Sequence, residues 1–200
     1  MRDPEEMLAG VPFWFLRHGE TDWNARELSQ GNVDIPLNTT GLAQARSAAK
    51  LLPGHGIRTI VSSPLSRARD TAEIAGAALA LPVQIDNDLR EVSFGVQEGQ
   101  PMAEWFARWI AGEVTPKGAE TFAHLRRRAV AAVNRAIALP PVVLVVAHGA
   151  LFRALRSAMG LEPNVRMRNG IPFWCAPPGT DQHAWTLQPA VEGMSLTIPN

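Results

Sequence analysis

Apolar residues follow two rhythms along this chain. Short unbroken runs, such as Phe13-Trp14-Phe15-Leu16 and Val142 to Ala147, alternate with stretches where apolar residues recur every three or four positions, as Leu42, Ala45, Ala49 and Leu52 do. The first rhythm marks strands buried on both faces, the second helices with one apolar side. Strands are expected at 12–16, 57–61, 83–85 and 142–147, with a weaker one at 184–187. Helices are expected from Thr39 or Thr40 to Leu52, Pro64 to Leu81, Pro101 to Ala111, Ala119 to Ala138, and after His148 to Met159. Pro53-Gly54 stops the first of these, Pro64 opens the second and Pro140-Pro141 closes the longest. Thr21 is placed to cap a short helical turn through Trp23 and Asn24. Residues 1–10 read as a loosely ordered lead-in, 29–37 as a polar loop and 89–99 as irregular and bounded by glycine. Strands alternating with helices predict an α/β fold: a three-layer sandwich in which a mostly parallel sheet carries helices on both faces. At 200 residues one such domain accounts for the whole chain.

Composition narrows the function classes. The chain has 19 Lys+Arg against 19 Asp+Glu, a balance that gives no support for a nucleic-acid or anionic-membrane partner. The one basic run, Arg126-Arg127-Arg128, falls within a helical pattern and reads as a solvated face. Cys175 is alone, so no internal disulfide forms and a reducing compartment is expected. No Cys/His cluster has metal-ligand spacing. The acidic start lacks the apolar core of a signal peptide, and the longest apolar stretch, Ala136 to Phe152, is interrupted by Pro140-Pro141 and His148-Gly149. The expectation is a cytoplasmic, soluble protein.

Chemistry enters at the ends of the strands. The first runs straight into Arg17-His18-Gly19: a permanent planar cation, a nitrogen able to act as base or nucleophile, and a residue that admits close approach to the backbone. This combination suits an anion that reacts, and phosphate is the obvious candidate. The second strand leads through Ser62-Ser63-Pro64-Leu65-Ser66 to Arg67, and the fourth ends in His148-Gly149. Parallel strands line up their C-terminal ends along one edge, where ligands bind in open α/β sheets, so these distant groups can converge. A dinucleotide-binding reading lacks any Gly-x-Gly-x-x-Gly after the first strand.

With these pieces in place the chain resembles the histidine phosphatase superfamily, in its phosphoglycerate-mutase-like branch. The resemblance runs over most of the chain. It takes in Arg17-His18-Gly19-Glu20-Thr21 with Asn24, then Gly31 with Asp34-Ile35-Pro36-Leu37, and Gly41 with Gln44-Ala45. It continues through Ser62-Ser63-Pro64, Arg67-Ala68 and Thr71-Ala72 to Leu89, Glu91, Phe94-Gly95, Glu98-Gly99 and Ala147-His148-Gly149. It implies a two-step phosphoryl transfer in which His18 attacks phosphorus and the phosphohistidine is then hydrolysed. Arg17, Arg67 and His148 would hold the phosphoryl oxygens, and Glu91 would protonate the leaving alcohol. Asn24, Thr21, Gln30, Gly31 and Gly149 match positions around the substrate. No metal or other cofactor is implied, because arginines and histidines supply the positive charge. The partner is then a small phosphorylated substrate, and a homodimer is in keeping with relatives that dimerise.

Physical chemistry independent of the family supports that scheme. Phosphoryl transfer spreads negative charge over equatorial oxygens, and fixed cations with in-line positioning supply most of the catalysis. A histidine nucleophile must be unprotonated, and adjacent guanidiniums disfavour its cation. A carboxyl acts as an acid near neutral pH only where burial or substrate charge raises its pKa, so Glu91 is expected in a partly enclosed site. Other polar residues take structural readings: Glu20 and Asp34 as hydrogen-bonders, Asp88 and Glu98 as loop charges, Arg69 as a surface ion-pairer, Arg153 as a buttress of the pocket.

Phosphatase is favoured over mutase. The chain has no Tyr, where long mutases carry one at the position of Phe94, and only a modest segment joins Gly99 to the helix at Ala119. A catalytically silent scaffolding relative is the alternative from another class, and the complete set Arg17, His18, Arg67, Glu91 and His148 speaks against it. The leaving group is expected against residues 92–115 and the tail from Ile171 to Pro178, with Phe94, Trp105 and Phe106 as an apolar wall. Phosphorylated sugars, glycerate derivatives, nucleoside monophosphates and a ribazole phosphate all stay open as substrates.

Overall fold

The computed structural model describes residues 7–198. Its strands are β1 (Phe13–Arg17), β2 (Thr59–Ser62), β3 (Val83–Ile85), β4 (Val143–Ala147), β5 (Arg166–Met167), β6 (Pro172–Ala176), β7 (Thr186–Pro189) and β8 (Thr197–Ile198). The helices are α1 (Asp22–Ala25), α2 (Thr39–Leu51), α3 (Ser66–Leu79), α4 (Glu104–Ile110), α5 (Phe122–Ile137) and α6 (Gly149–Ala158). Six strands form the main sheet in the order β3-β2-β4-β1-β6-β7, and β5 and β8 pair separately. The four strands β3, β2, β4 and β1 run parallel, as expected, while β6 and β7 join antiparallel at the β1 side.

The apolar runs are continuous because alternate side chains serve different layers. Phe13 and Phe15 of β1, Val61 of β2, and Val143, Val145 and Ala147 of β4 pack into one core with α5 and α6. Trp14, Leu16, Ile60, Leu144 and Val146 point the other way, onto Ala48 and Leu52 near the end of α2 and onto Ala72 and Ala75 of α3. On the first face Phe15 meets Phe152 with ring centroids 4.4 Å apart. On the second the helices present mostly alanine and glycine, which lets them lie close to the sheet.

The structure moves several expected boundaries. Asn38, rather than Thr39 or Thr40, caps α2, its side-chain oxygen accepting the Gly41 N–H at 2.8 Å. Pro64 lies ahead of α3, which begins at Ser66 without a side-chain cap. The helix read from Ala119 starts at Phe122 behind a Thr121 cap. The run Pro172-Phe173-Trp174-Cys175-Ala176, read as part of a leaving-group wall, is strand β6, with Phe173 and Cys175 buried in the core. Of the lead-in, residues 1–6 lie outside the described residues. Residues 7–9 are not loose: Asn134 of α5 donates to the Met7 carbonyl and accepts the Ala9 N–H, each at 2.9 Å. Among the described residues no helix is long and apolar enough to cross a membrane.

Candidate active site

The parallel strands deliver their polar residues side by side. Just past β1, the His18 N–H donates to the Ala147 carbonyl at 3.1 Å, and just past β2 the Ser63 N–H donates to the Val146 carbonyl at 3.1 Å. Arg67 comes from the first turn of α3, and His148 is the N-cap residue of α6. Arg17, His18, Arg67 and His148 are all buried within this edge of the sheet. A small inner cleft of about 50 Å³ is lined by Arg17, His18, Arg67 and Glu91, with Asn24, Gln30, Gly31 and Gly149.

His18 is held in one tautomer. Its Nδ1 lies 2.7 Å from the Gly19 carbonyl oxygen, which only accepts, so Nδ1 carries the hydrogen and Nε2 keeps the lone pair. Burial, then Arg67 and Arg17, hold its pKa well below the usual histidine value, so the ring is neutral. The turn that follows is fixed by unusual closeness. A Cβ on Gly19 would meet the Gly41 carbonyl oxygen at 2.3 Å, and one on Gly41 would meet the Glu20 carbonyl oxygen at 2.0 Å. Two facing glycines let the first turn of α2 press against the backbone beside His18.

The cations are oriented by backbone carbonyls. Arg67 donates from Nη1 to the Val33 carbonyl at 2.9 Å and from Nη2 to the Gly31 carbonyl at 2.8 Å. Arg17 donates from Nη1 to the Met167 carbonyl. Among the described residues, Arg17 Nε, Arg67 Nε and His148 Nδ1 are buried with no hydrogen-bond partner. Desolvation brings the Arg17 pKa down to about 9 and that of Arg67 to about 10, so both stay charged at neutral pH. Buried guanidiniums of this kind, with donors unspent, suit a tetrahedral oxyanion.

His148 sits beside His18, their ring centroids 5.2 Å apart, and does not line the cleft surface. Its Nε2 contacts the Ser63 hydroxyl at 2.7 Å, and burial together with Arg67 holds its pKa well below the usual value. Glu91 lines the cleft with its carboxylate fastened to the start of α6. Oε2 accepts the Ala150 N–H at 2.9 Å, and Oε1 accepts those of Leu151 at 2.9 Å and Val92 at 3.1 Å. The free N–H groups of a helix start thus hold the carboxyl group in place.

The remaining sequence candidates divide. Asn24, Gln30, Gly31 and Gly149 line the inner cleft. Thr21 does not: its hydroxyl accepts the Asn24 N–H at 3.1 Å, completing a capping box at α1. Arg153 does buttress the cleft, its guanidinium 4.7 Å from the centroid of the Phe106 ring. Glu98 is more than a loop charge, since it accepts the Asn32 N–H at 3.0 Å and the Phe94 N–H at 3.2 Å. Arg128 departs from the solvated face read for its basic run; its side chain is buried against Glu120.

The inner cleft opens into a larger chamber of about 320 Å³, walled by Leu28, Met102, Phe106 and Met167 with Arg153 and Arg166. The tail therefore reaches the site through residues 164–167 and not through Ile171 to Pro178. Arg166 pairs with Glu27 at 3.0 Å on this wall. Asn169, also unassigned from the sequence, donates to the His18 carbonyl at 2.9 Å and to Asn24 Oδ1 at 3.3 Å. Its one sequence signal is the polar cluster Arg166-Met167-Arg168-Asn169-Gly170, too short and too common to assign.

Known proteins are similar to this chain in sequence and fold. The phosphatase PhoE of Bacillus subtilis, named as uncharacterized, is 42% identical over 155 residues, which is 76% of this chain and 79% of that protein. A protein named probable phosphoglycerate mutase GpmB, of Yersinia enterocolitica, is 37% identical over 168 residues, covering 78% of each. A mycobacterial glucosyl-3-phosphoglycerate phosphatase, solved with VO3, superposes with a TM-score of 0.77 at 29% identity, covering 92% of this chain and 100% of that one. The family model for branch 1 of the histidine phosphatases matches residues 13–172, from the first residue of β1 to the first of β6. The chain belongs to the histidine phosphatase superfamily.

Proposed function

We propose that this protein is a phosphomonoesterase that passes the phosphoryl group of a small phosphorylated metabolite to His18 and then to water. The observation that carries the reading is the neutral His18, with its Nε2 lone pair free among Arg17 and Arg67. In the first step Nε2 bonds to phosphorus as the ester P–O bond breaks, and Glu91 gives the leaving oxygen its proton. Each carboxylate oxygen has two lone pairs, so Oε2, holding the Ala150 N–H with one, keeps another for that proton. In the second step a water oxygen bonds to phosphorus, the N–P bond breaks, and Glu91 takes up the water's proton. Arg17 and Arg67 act throughout on the equatorial oxygens, where charge collects.

The leaving group would occupy the outer chamber, against Met102, Phe106 and Met167, with Arg153 and Arg166 facing any acidic group it carries. The names of relatives include a mutase, so the acceptor needs its own test. With 3-phosphoglycerate as substrate, the expected product is inorganic phosphate. Appearance of the isomer without phosphate release would favour the mutase reading.

The covalent step is tested by rapid quenching. Enzyme mixed with a ³²P-labelled phosphate ester and quenched in alkali, which preserves phosphohistidine, should carry label, and His18→Ala should carry none. Label in the His18→Ala protein, or turnover close to that of the parent, would refute the assignment.

A further inference from the structure

We propose that Arg128 is a positioning residue for Glu91, clamping from α5 the irregular strand of chain that carries the carboxyl. This rests on the reading of Glu91 as the general acid. The segment needs such a device. Residues 88–91 lie at the end of a 3₁₀ turn, outside any sheet, so no ladder of backbone hydrogen bonds fixes them. The Arg128 guanidinium does so instead. Nη1 donates to the Asp88 carbonyl at 2.6 Å and to the Arg90 carbonyl at 2.8 Å, and Nη2 extends toward the Glu91 carbonyl at 3.5 Å.

The clamp is itself held rigid. Arg128 Nε and Nη2 grip both carboxylate oxygens of Glu120, at 3.0 and 2.7 Å, a two-point contact that fixes the plane of the guanidinium. Glu120 is anchored in turn, its N–H donating to the Ser93 carbonyl at 2.8 Å and its own carbonyl accepting from the Trp109 indole at 2.8 Å. Glu91 is therefore fastened twice: its backbone by α5 through Arg128, its carboxylate by α6 through Ala150 and Leu151. Arg128 lines neither the inner cleft nor the outer chamber. Its effect on the reaction is through the placement of a proton donor, which must sit within hydrogen-bond reach of the leaving oxygen.

The experiment uses leaving groups of different quality. p-Nitrophenolate departs without a proton, whereas the alkoxide of glycerol phosphate does not, so kcat/KM on the pair isolates proton donation from general damage. Glu91→Gln should lower kcat/KM on the alkyl ester by about 100-fold or more and on the aryl ester far less. Arg128→Lys keeps a cation for Glu120, so the fold is retained, but one ammonium lacks the planar fork that spans two carbonyls and a carboxylate. It should lower the alkyl ester about tenfold and the aryl ester less than about twofold, with KM little changed. Arg128→Met, checked for folding by its thermal midpoint, should show the same selectivity more strongly.

An equal loss on both esters in the Arg128 variants, or no loss in Arg128→Lys, overturns the proposal. If those variants are unselective while Glu91→Gln is selective, the clamp fails and the acid stands. If Glu91→Gln is itself unselective, the reading of Glu91 fails and takes the clamp with it.

Discussion

Two neutral histidines buried together tie catalysis to acid stability. His18 and His148 have pKa values held well below the ordinary 6.5 by burial and by the neighbouring guanidiniums. Between that depressed range and 6.5 the unfolded chain binds protons that the folded one refuses, so stability is full above 6.5 and falls as the pH drops. Each group contributes a slope of up to about 1.4 kcal/mol per pH unit in that window. Denaturant unfolding at pH 7.5, 6 and 5 should show His148→Gln losing less stability on acidification than the parent; equal losses would contradict the neutral assignment. For the same reason the acid limb of kcat/KM should lie below the usual histidine range. At this scale the sequence was informative about where Arg17, His18, Arg67 and His148 lie, because strand ends in a parallel sheet have a definite destination, but His148 stands behind the cleft and not on its surface. It was silent on Asn169 and misleading on Arg128; for Thr21 the expected helix cap formed, while the expected place at the substrate did not.

Single elements are set by close backbone approach as much as by apolar pattern. The first turn of α2 reaches the chain beside His18 because Gly19 and Gly41 present no side chains to each other. Gly19→Ala should therefore force α2 away from His18, costing about 1–3 kcal/mol in stability and a larger share of turnover. A denaturation midpoint and a turnover assay on the same preparation check this, and a variant with parental values for both would refute it. Helix and strand identities were legible from the periods of apolar residues. Their ends were less so. Asn38 displaced the expected threonine caps, and Pro64 belongs to the turn between β2 and α3. β6 was missed although Phe173-Trp174-Cys175 is an apolar run; Gly170, Pro172 and Pro177-Pro178 close around it mask its strand pattern.

The molecule as a whole assembles its outer chamber from segments far apart in the chain: residues 24–28, 102–107, 149–153 and 164–167. Phe106 is common to the chamber and the inner cleft and lies under the Arg153 guanidinium. Phe106→Ala should raise KM for bulky aryl esters more than for small alkyl esters and lower stability by about 3 kcal/mol. A uniform change in KM across an ester series would argue against a leaving group in this chamber. The overall α/β architecture followed from the alternation of elements, whereas of the chamber only the wall from 92–115, with Phe106, was legible, since its other walls meet only after the sheet has formed.

The tether from Asn169 to the His18 carbonyl, with the Gly170 N–H on the Arg17 carbonyl at 3.0 Å, has a bearing on the order in which the site assembles. Arg17, His18, Arg67, Glu91 and His148 are all made before residue 149, yet the end of β1 that bears the first two is pinned by a stretch synthesised some twenty residues after the last. During translation or refolding, hydrolysis should consequently be among the last properties to return, after helicity and after burial of the aromatic rings. Stopped-flow refolding followed by tryptophan fluorescence and by ester turnover would then show the second trace lagging the first.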